Sequence, residues 1–291
     1  MLKLNLIAIF CFLTLSNAYF APNIFLNHGG GPYPVLREEH NIEIADSLKN
    51  ISKIMDLEKL SAIVIVTAHR EEDVVTITSS RQQSLVYDYY HFPPVSYTFK
   101  YNAPGDPELA RRIHNAFEAA GIKSQLDDQR GWDHGVFIPM MLINPKADIP
   151  VIQVSILKNQ DAKQHYDIGK ALFQFRKEGV AIFGSGMSYH NMAEFDKVER
   201  NLKNVEVNIV NHDFDNFLND VCTGEVENRQ KILLWEQQRG GYESHPLGEA
   251  DHLMPLIVNA GAAGTRPGRK YFESIFLYKF LLSGFIWDDD E

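Results

Sequence analysis

The 291-residue chain is 45% hydrophobic and 23% charged, enough apolar matter to bury a full core, which excludes a disordered polypeptide. A net charge of -10 and the lack of any Lys/Arg cluster exclude a phosphate-tracking surface, so nucleic acid is not an expected partner. With only Cys11 and Cys222, no disulfide framework, cysteine-rich zinc site or CxxC redox motif is available, and any metal must rest on His, Asp and Glu.

In chain order, MLKLNLIAIFCFLTLSNA comes first. It sets one lysine before an apolar run, Leu4 to Leu15, and ends on the small residues that signal peptidase requires. Residues 1–18 are therefore expected to be a secretory signal and 19–291 the mature domain, in the secretory lumen or outside the cell. The alternative is a buried first element in a cytoplasmic protein. The run is too short to span a bilayer comfortably, so no stable membrane anchor is expected. Asn50-Ile51-Ser52 is a glycosylation sequon compatible with secretion.

The remainder alternates β-rich apolar runs with segments of helical period, the pattern of a single α/β domain: a central, mostly parallel sheet with helices on both faces. Strands are expected at Asn23–Leu26, Ser61–Thr67, Val74–Ser79, Val151–Ile156, Val180–Phe183 and Ser274–Phe280. Helices are expected at Ile42–Met55, Pro107–Ala120, Asp161–Lys177, Val205–Val221 and Glu249–Ala260. SAIVIVT and VAIFG are continuous apolar runs, as a sheet covered on both faces requires. The Pro- and aromatic-rich stretch from His91 to Pro107 has no period and reads as an ordered loop lying over something.

Eleven histidines are present. His28, His69 and His190 lie beyond the expected C-terminal ends of three strands, the edge where open α/β sheets bind ligands. In SHPLGEADHLMPL, Glu249 and His252 are three apart at the start of an expected helix and can share a face, with Asp251 pointing elsewhere. His28, His69 and either His252 or Glu249 can therefore supply three metal ligands and leave open positions. Nitrogen and oxygen donors alone suit Fe(II) or Zn(II). His134, between Asp133 and Gly135, is a further candidate, read equally well as a buried residue behind a helix-capping Asp. His245 reads as a loop residue with a possible substrate contact, and His40, His91, His114, His165 and His212 read as surface or packing residues. An esterase reading of His28-Gly29-Gly30-Gly31 as an oxyanion loop fails, because no Gly-x-Ser-x-Gly elbow follows.

With these residues collected, the chain resembles the class III extradiol ring-cleavage dioxygenases, in their DOPA 4,5-dioxygenase branch. FLNHGGGP resembles the family's His-Gly-Ser-Pro strand end, AIVIVTAHRE its Ser-Ala-His-Trp segment and YNAPGDPELA its Tyr-Pro-Ala-Pro-Gly-Ser-Pro-Glu-Leu-Ala stretch. RGWDHGVF is similar to the Asp-His-Gly block, EGVAIFGSGMSYHNM to Gly-Ser-Gly-x-x-x-His-Asn-Leu, and EADHLMPL to Pro-Glu-His-x-x-Pro-Leu. The order is kept over nearly the whole mature chain. The resemblance implies a single α/β domain with one non-haem divalent metal at the C-terminal strand edge, Fe(II) for activity or Zn(II) as bound. It makes His28, His69 and His252 the ligands, with Glu249 the alternative to His252. His190 becomes a fourth metal-proximal residue, ligand or base, and His134 a nearby acid/base. The implied reaction is extradiol cleavage of a catechol, DOPA-like ring by O2. Gly30-Gly31 in place of Ser-Pro, Arg70 in place of Trp and Asp251 in place of Glu depart from the pattern, chiefly at the pocket wall. A non-catalytic peptide- or protein-binding relative and a zinc-dependent hydrolase are the alternative readings.

Overall fold

Side-chain alternation along the central strands sets the architecture. In β2 (Ala62–Glu72), Ala62, Val64 and Val66 enter one apolar layer, and Ile63 and Ile65 enter the other. The same split holds in β6 (Val180–Gly186), where Val180 and Ile182 oppose Ala181 and Phe183. Strands that are apolar on both faces need cover on both faces. The computed structural model, which describes residues 20–201 and 209–288, supplies it.

Eight strands form one sheet. Besides β2 and β6 they are β1 (Asn23–Asn27), β3 (Val75–Thr78), β4 (Ser124–Asp127), β5 (Val151–Leu157), β7 (Arg269–Phe276) and β8 (Phe280–Trp287), in the order β4-β3-β5-β2-β6-β1-β8-β7. The inner four, β5-β2-β6-β1, are parallel, while β8 pairs antiparallel with β1 and β7 antiparallel with β8. The helices are α1 (Tyr33–Leu36), α2 (Ile42–Ile54), α3 (Pro107–Ala119), α4 (His134–Ile143), α5 (Ala162–Leu172), α6 (Met192–Glu199), α7 (His212–Thr223), α8 (Gly241–Ser244) and α9 (Met254–Gly261). α3, α5, α7 and α9 give their apolar stripes to the layer of Val64 and Val66; α2, α4 and α6 cover the layer of Ile63 and Ile65. The local chemistry is plain in α3. Asp106 accepts from the backbone N–H of Glu108 and Leu109, Pro107 occupies the first turn, and Leu109, Ile113 and Phe117 line the buried stripe.

Several expected bounds shift. β2 continues past Thr67 to Glu72 through an irregularity in its pairing with β5, so His69 lies inside the strand rather than beyond it. The strand expected at Ser274–Phe280 straddles a turn between β7 and β8, because the turn residues Leu277 and Tyr278, both at positive φ, carry no Gly or Pro signal. The helix expected at Asp161–Lys177 leaves α-geometry at Leu172 and tightens to a 3-10 turn over Phe173–Glu178. Among the described residues the helix expected at Val205 begins at His212, and the one expected at Glu249 begins at Met254, preceded by a turn. The expected signal segment, residues 1–18, lies outside the described residues. Asn50 of the sequon is exposed on α2. Among the described residues, no helix is long and apolar enough to cross a membrane.

Candidate metal centre

Five histidines from five segments meet at the C-terminal edge of the parallel strands. His28 leaves β1 directly: its N–H donates to the Gly186 carbonyl (3.1 Å), and the preceding Asn27 is pinned to Ser283 O and Ser188 N (2.9 Å each). The backbone turns at once through Gly29, at φ +80, where a Cβ would stand 2.6 Å from Asn41 Oδ1. His69 sits on the irregular part of β2, its carbonyl accepting from Arg130 Nη2 (3.3 Å). His190 follows β6 and is held by its N–H to Ser244 O (2.9 Å). His252 arrives on the turn before α9, and its carbonyl lies so close to Gly186 that any side chain there would overlap it. His134 opens α4. Its backbone N–H and its Nδ1 both lie 2.9 Å from Asp88 Oδ1.

The ring centroids of His28, His69 and His252 form a near-equilateral triangle, 4.6, 5.0 and 5.1 Å on its sides. Hydrogen bonds decide which nitrogens are bare. His28 Nδ1 donates to Ser185 Oγ (3.0 Å), whose own hydroxyl donates to Gly135 O (2.6 Å), so His28 Nε2 keeps its lone pair. His252 Nδ1 donates to Asp251 Oδ2 (2.7 Å) with the same result. His69 Nδ1 has no hydrogen-bond partner but faces Asp133 Oδ1 and Asp88 Oδ2 at 3.9 and 4.0 Å, which favours a proton on that nitrogen. The Nε2 atoms of His69 and His252 then confront each other at 3.1 Å. Two buried lone pairs at that distance repel unless a cation lies between them. Imidazoles bound at about 2.0–2.1 Å to one metal at tetrahedral or octahedral angles stand about 2.9–3.3 Å apart, so His69 and His252 are spaced as two ligands of one divalent metal, while His28, His69 and His134 also bring ligand atoms within 4.8 Å of one another.

Burial, reinforced by the neighbouring imidazoles, holds His28, His69, His190 and His252 well below the ordinary histidine range, so all four are neutral, as ligands and bases must be. The carboxylates behind them differ. Asp133 is fully buried and pushed up, first by desolvation and then by Asp88, although Thr67 and Gln153 donate to it. Burial alone would raise Asp88 too, but the hydrogen bonds from His134 outweigh it and hold Asp88 low. His190 stacks face to face on His252, 3.4 Å between centroids and 10° between planes, and His134 stacks on His69 at 3.8 Å. Neither ring nitrogen of His190 has a hydrogen-bond partner among the described residues.

The cluster lies in a cavity of about 630 Å³, with Gly29, Gly30 and Gly31 in its wall and Tyr89 and Phe92 among its aromatic residues. The expected covering loop is there: Phe92 lies against Gly31 and meets Tyr33 at 4.8 Å. His28, His69, His134, His190 and His252 are thus brought together, whereas Glu249 is exposed on a turn away from the cluster, because the helix meant to share it with His252 starts later. Asp251 does not point elsewhere; it holds His252. His245 is fully buried on Ser188 O and outside the cavity wall, while His40, expected to be a surface or packing residue, lines the cavity. Asp133 precedes α4 without capping it through its side chain. The partner of His134, Asp88, carried no sequence signal.

Comparison with known proteins gives concordant matches. Residues 22–280 match the family described as the catalytic LigB subunit of aromatic ring-opening dioxygenase. The dioxygenase tasH of Hapsidospora irregularis is 37% identical over 269 residues, 88% of this chain and 82% of that protein. The 4,5-DOPA dioxygenase extradiol of Beta vulgaris is 34% identical over 82% of this chain and 86% of its own length; that of Escherichia coli (strain K12) is 33% identical over 83% and 84%. The crystal structure of an uncharacterized protein from Escherichia coli K12 superposes with a TM-score of 0.71 at 26% identity, covering 91% of this chain and 99% of that one.

Proposed function

The chain belongs to the LigB family of aromatic ring-opening dioxygenases, the class III extradiol enzymes, and from that premise we propose that it opens a catechol, DOPA-like ring beside one hydroxyl using O2 and one divalent metal. His28, His69 and His252 would hold the metal, Fe(II) for turnover or Zn(II) as bound. When bound, the metal offers open positions to the catechol oxygens and to O2 and lowers the pKa of the ring hydroxyls. The observation that carries this reading is the 3.1 Å approach of two buried, bare imidazole nitrogens.

The chain's own groups supply the proton handling. His190, kept neutral by burial and with neither ring nitrogen hydrogen-bonded among the described residues, takes the second hydroxyl proton. Asp251, beside both His190 and His252, favours the imidazolium that results. His134, with Nδ1 tied to Asp88, presents a bare Nε2 that takes the first hydroxyl proton and hands it back as the ring opens. The glycine and aromatic wall packs the ring and excludes water.

Anaerobic Fe(II) loading followed by oxygen uptake and the spectrum of a yellow ring-opened semialdehyde tests the reaction. His190→Ala is expected to lower turnover by about 10²–10⁴-fold with the metal stoichiometry intact. Undiminished cleavage by that variant would remove His190 as the base.

A further inference from the structure

The sign of the charge around the cavity is uniform. Among the described residues its wall contains two carboxylates, Glu38 and Glu199, and no Lys or Arg. Of the described cations, those adjacent in sequence to these two residues are ion-paired, Arg37 with Asp46 (2.6 Å) and Arg200 with Asp196 (3.4 Å). Apart from the clustered histidines, His40 is, among the described residues, the one lining residue able to carry a positive charge, and it packs edge-on against Tyr278 at 5.4 Å. Glu38 is held in place: its Oε2 accepts from His40 N (3.1 Å) and Asn41 Nδ2 (2.8 Å), and Asn41 Oδ1 in turn accepts from Gly30 N (2.9 Å). Glu199 ends α6, where the helix carbonyls add to the negative potential. Both carboxylates push the Tyr33 hydroxyl up, after burial, and Glu38 does the same to Glu199 after burial and Asp196.

The cavity is marked as a ligand site independently of these acids. His134 and His252 are 8% and 5% exposed, line it, and have Nε2 atoms bare of any donor. Depth separates the two sets, with the buried histidines at the floor and half-buried Glu38 and exposed Glu199 nearer solvent. Tyr33, Phe92, Phe195 and Phe276 line the same cavity, and an aromatic face accepts a cation as well as a ring. Carboxylates and aromatic rings in one wall supply the chemistry that receives an ammonium group and repels a carboxylate.

We propose that Glu38 and Glu199 make the cavity selective for a catechol whose side chain ends in an amine and lacks a carboxylate. The proposal deepens the ring-opening reading and rests on it for the word catechol. For the loaded enzyme at low ionic strength, kcat/KM for an aminoethyl-catechol is expected to exceed that for a carboxymethyl-catechol by about tenfold or more. Glu38→Gln, which keeps an acceptor for His40 and Asn41, and Glu199→Gln, at an exposed site, should each lower that ratio about threefold. A wild-type ratio at or below one, or a ratio unmoved in both variants, overturns the proposal. The corresponding monophenols, one amine and one acid, measured by calorimetry on metal-free protein, report the same preference without metal, oxygen or turnover. If no catechol is opened but the monophenol amine binds preferentially and the variants abolish that preference, the ring-opening reading falls while the charge selectivity stands.

Discussion

The Ser185 hydroxyl accepts from His28 Nδ1 and donates to the Gly135 carbonyl, so one group fixes which His28 nitrogen is bare and ties β6 to the first turn of α4. Ser185→Ala should leave a buried N–H unpaired and lower metal affinity about 10–100-fold, the usual effect of removing a partner behind a ligand. Calorimetric titration of the metal-free protein with Zn(II) checks this; unchanged affinity would show that packing alone orients the ring. At this scale the sequence was legible where a histidine closes an apolar run or sits in a family motif, as His28, His69, His190 and His252 do. It was silent on partners set by long-range folding. Asp88 is 46 residues from His134 in an aperiodic loop, and Asp251 was expected to face away from the residue it holds.

Elements show the same division. The inner strands could be read because burial on both faces demands unbroken apolar runs, while β4, SQLD with two exposed residues, offers no such run and was missed. α4 escaped for the opposite reason: from His134 to Met140 every residue is buried, so no polar face gives it a period. The Gly-x-Gly of β6 acquires a meaning only in three dimensions. Gly186 lets the turn before α9 press its His252 carbonyl against the sheet, with Met187 N donating to that carbonyl (3.2 Å). Gly186→Ala should therefore displace the His252 segment, costing about 1–3 kcal/mol of stability and loosening the metal together. Thermal unfolding with and without Zn(II) separates the two: a lower melting temperature with an undiminished metal-induced rise would show that the turn relaxes without moving His252.

For the molecule as a whole, the loss of stability in acid follows in part from histidines buried outside the metal cluster, where desolvation outweighs the nearby charges. Burial pushes His165 down to about 4, while it accepts from Leu157 N (3.0 Å) and donates to Asp161 O (2.7 Å). The unfolded chain takes up this proton first, near the ordinary value of about 6.5. The stabilisation is thus complete above that pH and is lost as pH falls toward 4, amounting to about 3 kcal/mol across the window. Urea midpoints should fall between pH 6.5 and 4, and His165→Gln should flatten that slope by one proton; an unchanged slope would place the acid sensitivity elsewhere, His245 being the next buried candidate at about 3. The sheet order adds a consequence in time. β1 lies between β6 and β8, and Asn27 is pinned to Ser283 across 256 residues, so the segment that carries His28 is locked by a strand synthesised long after it. At ribosomal rates of about 5–20 residues per second, His28 emerges roughly 10–50 s before β8 exists. The His28 arm cannot be set against β8 during that interval, and damage to β8 would be felt at once in β1 and the histidine it carries.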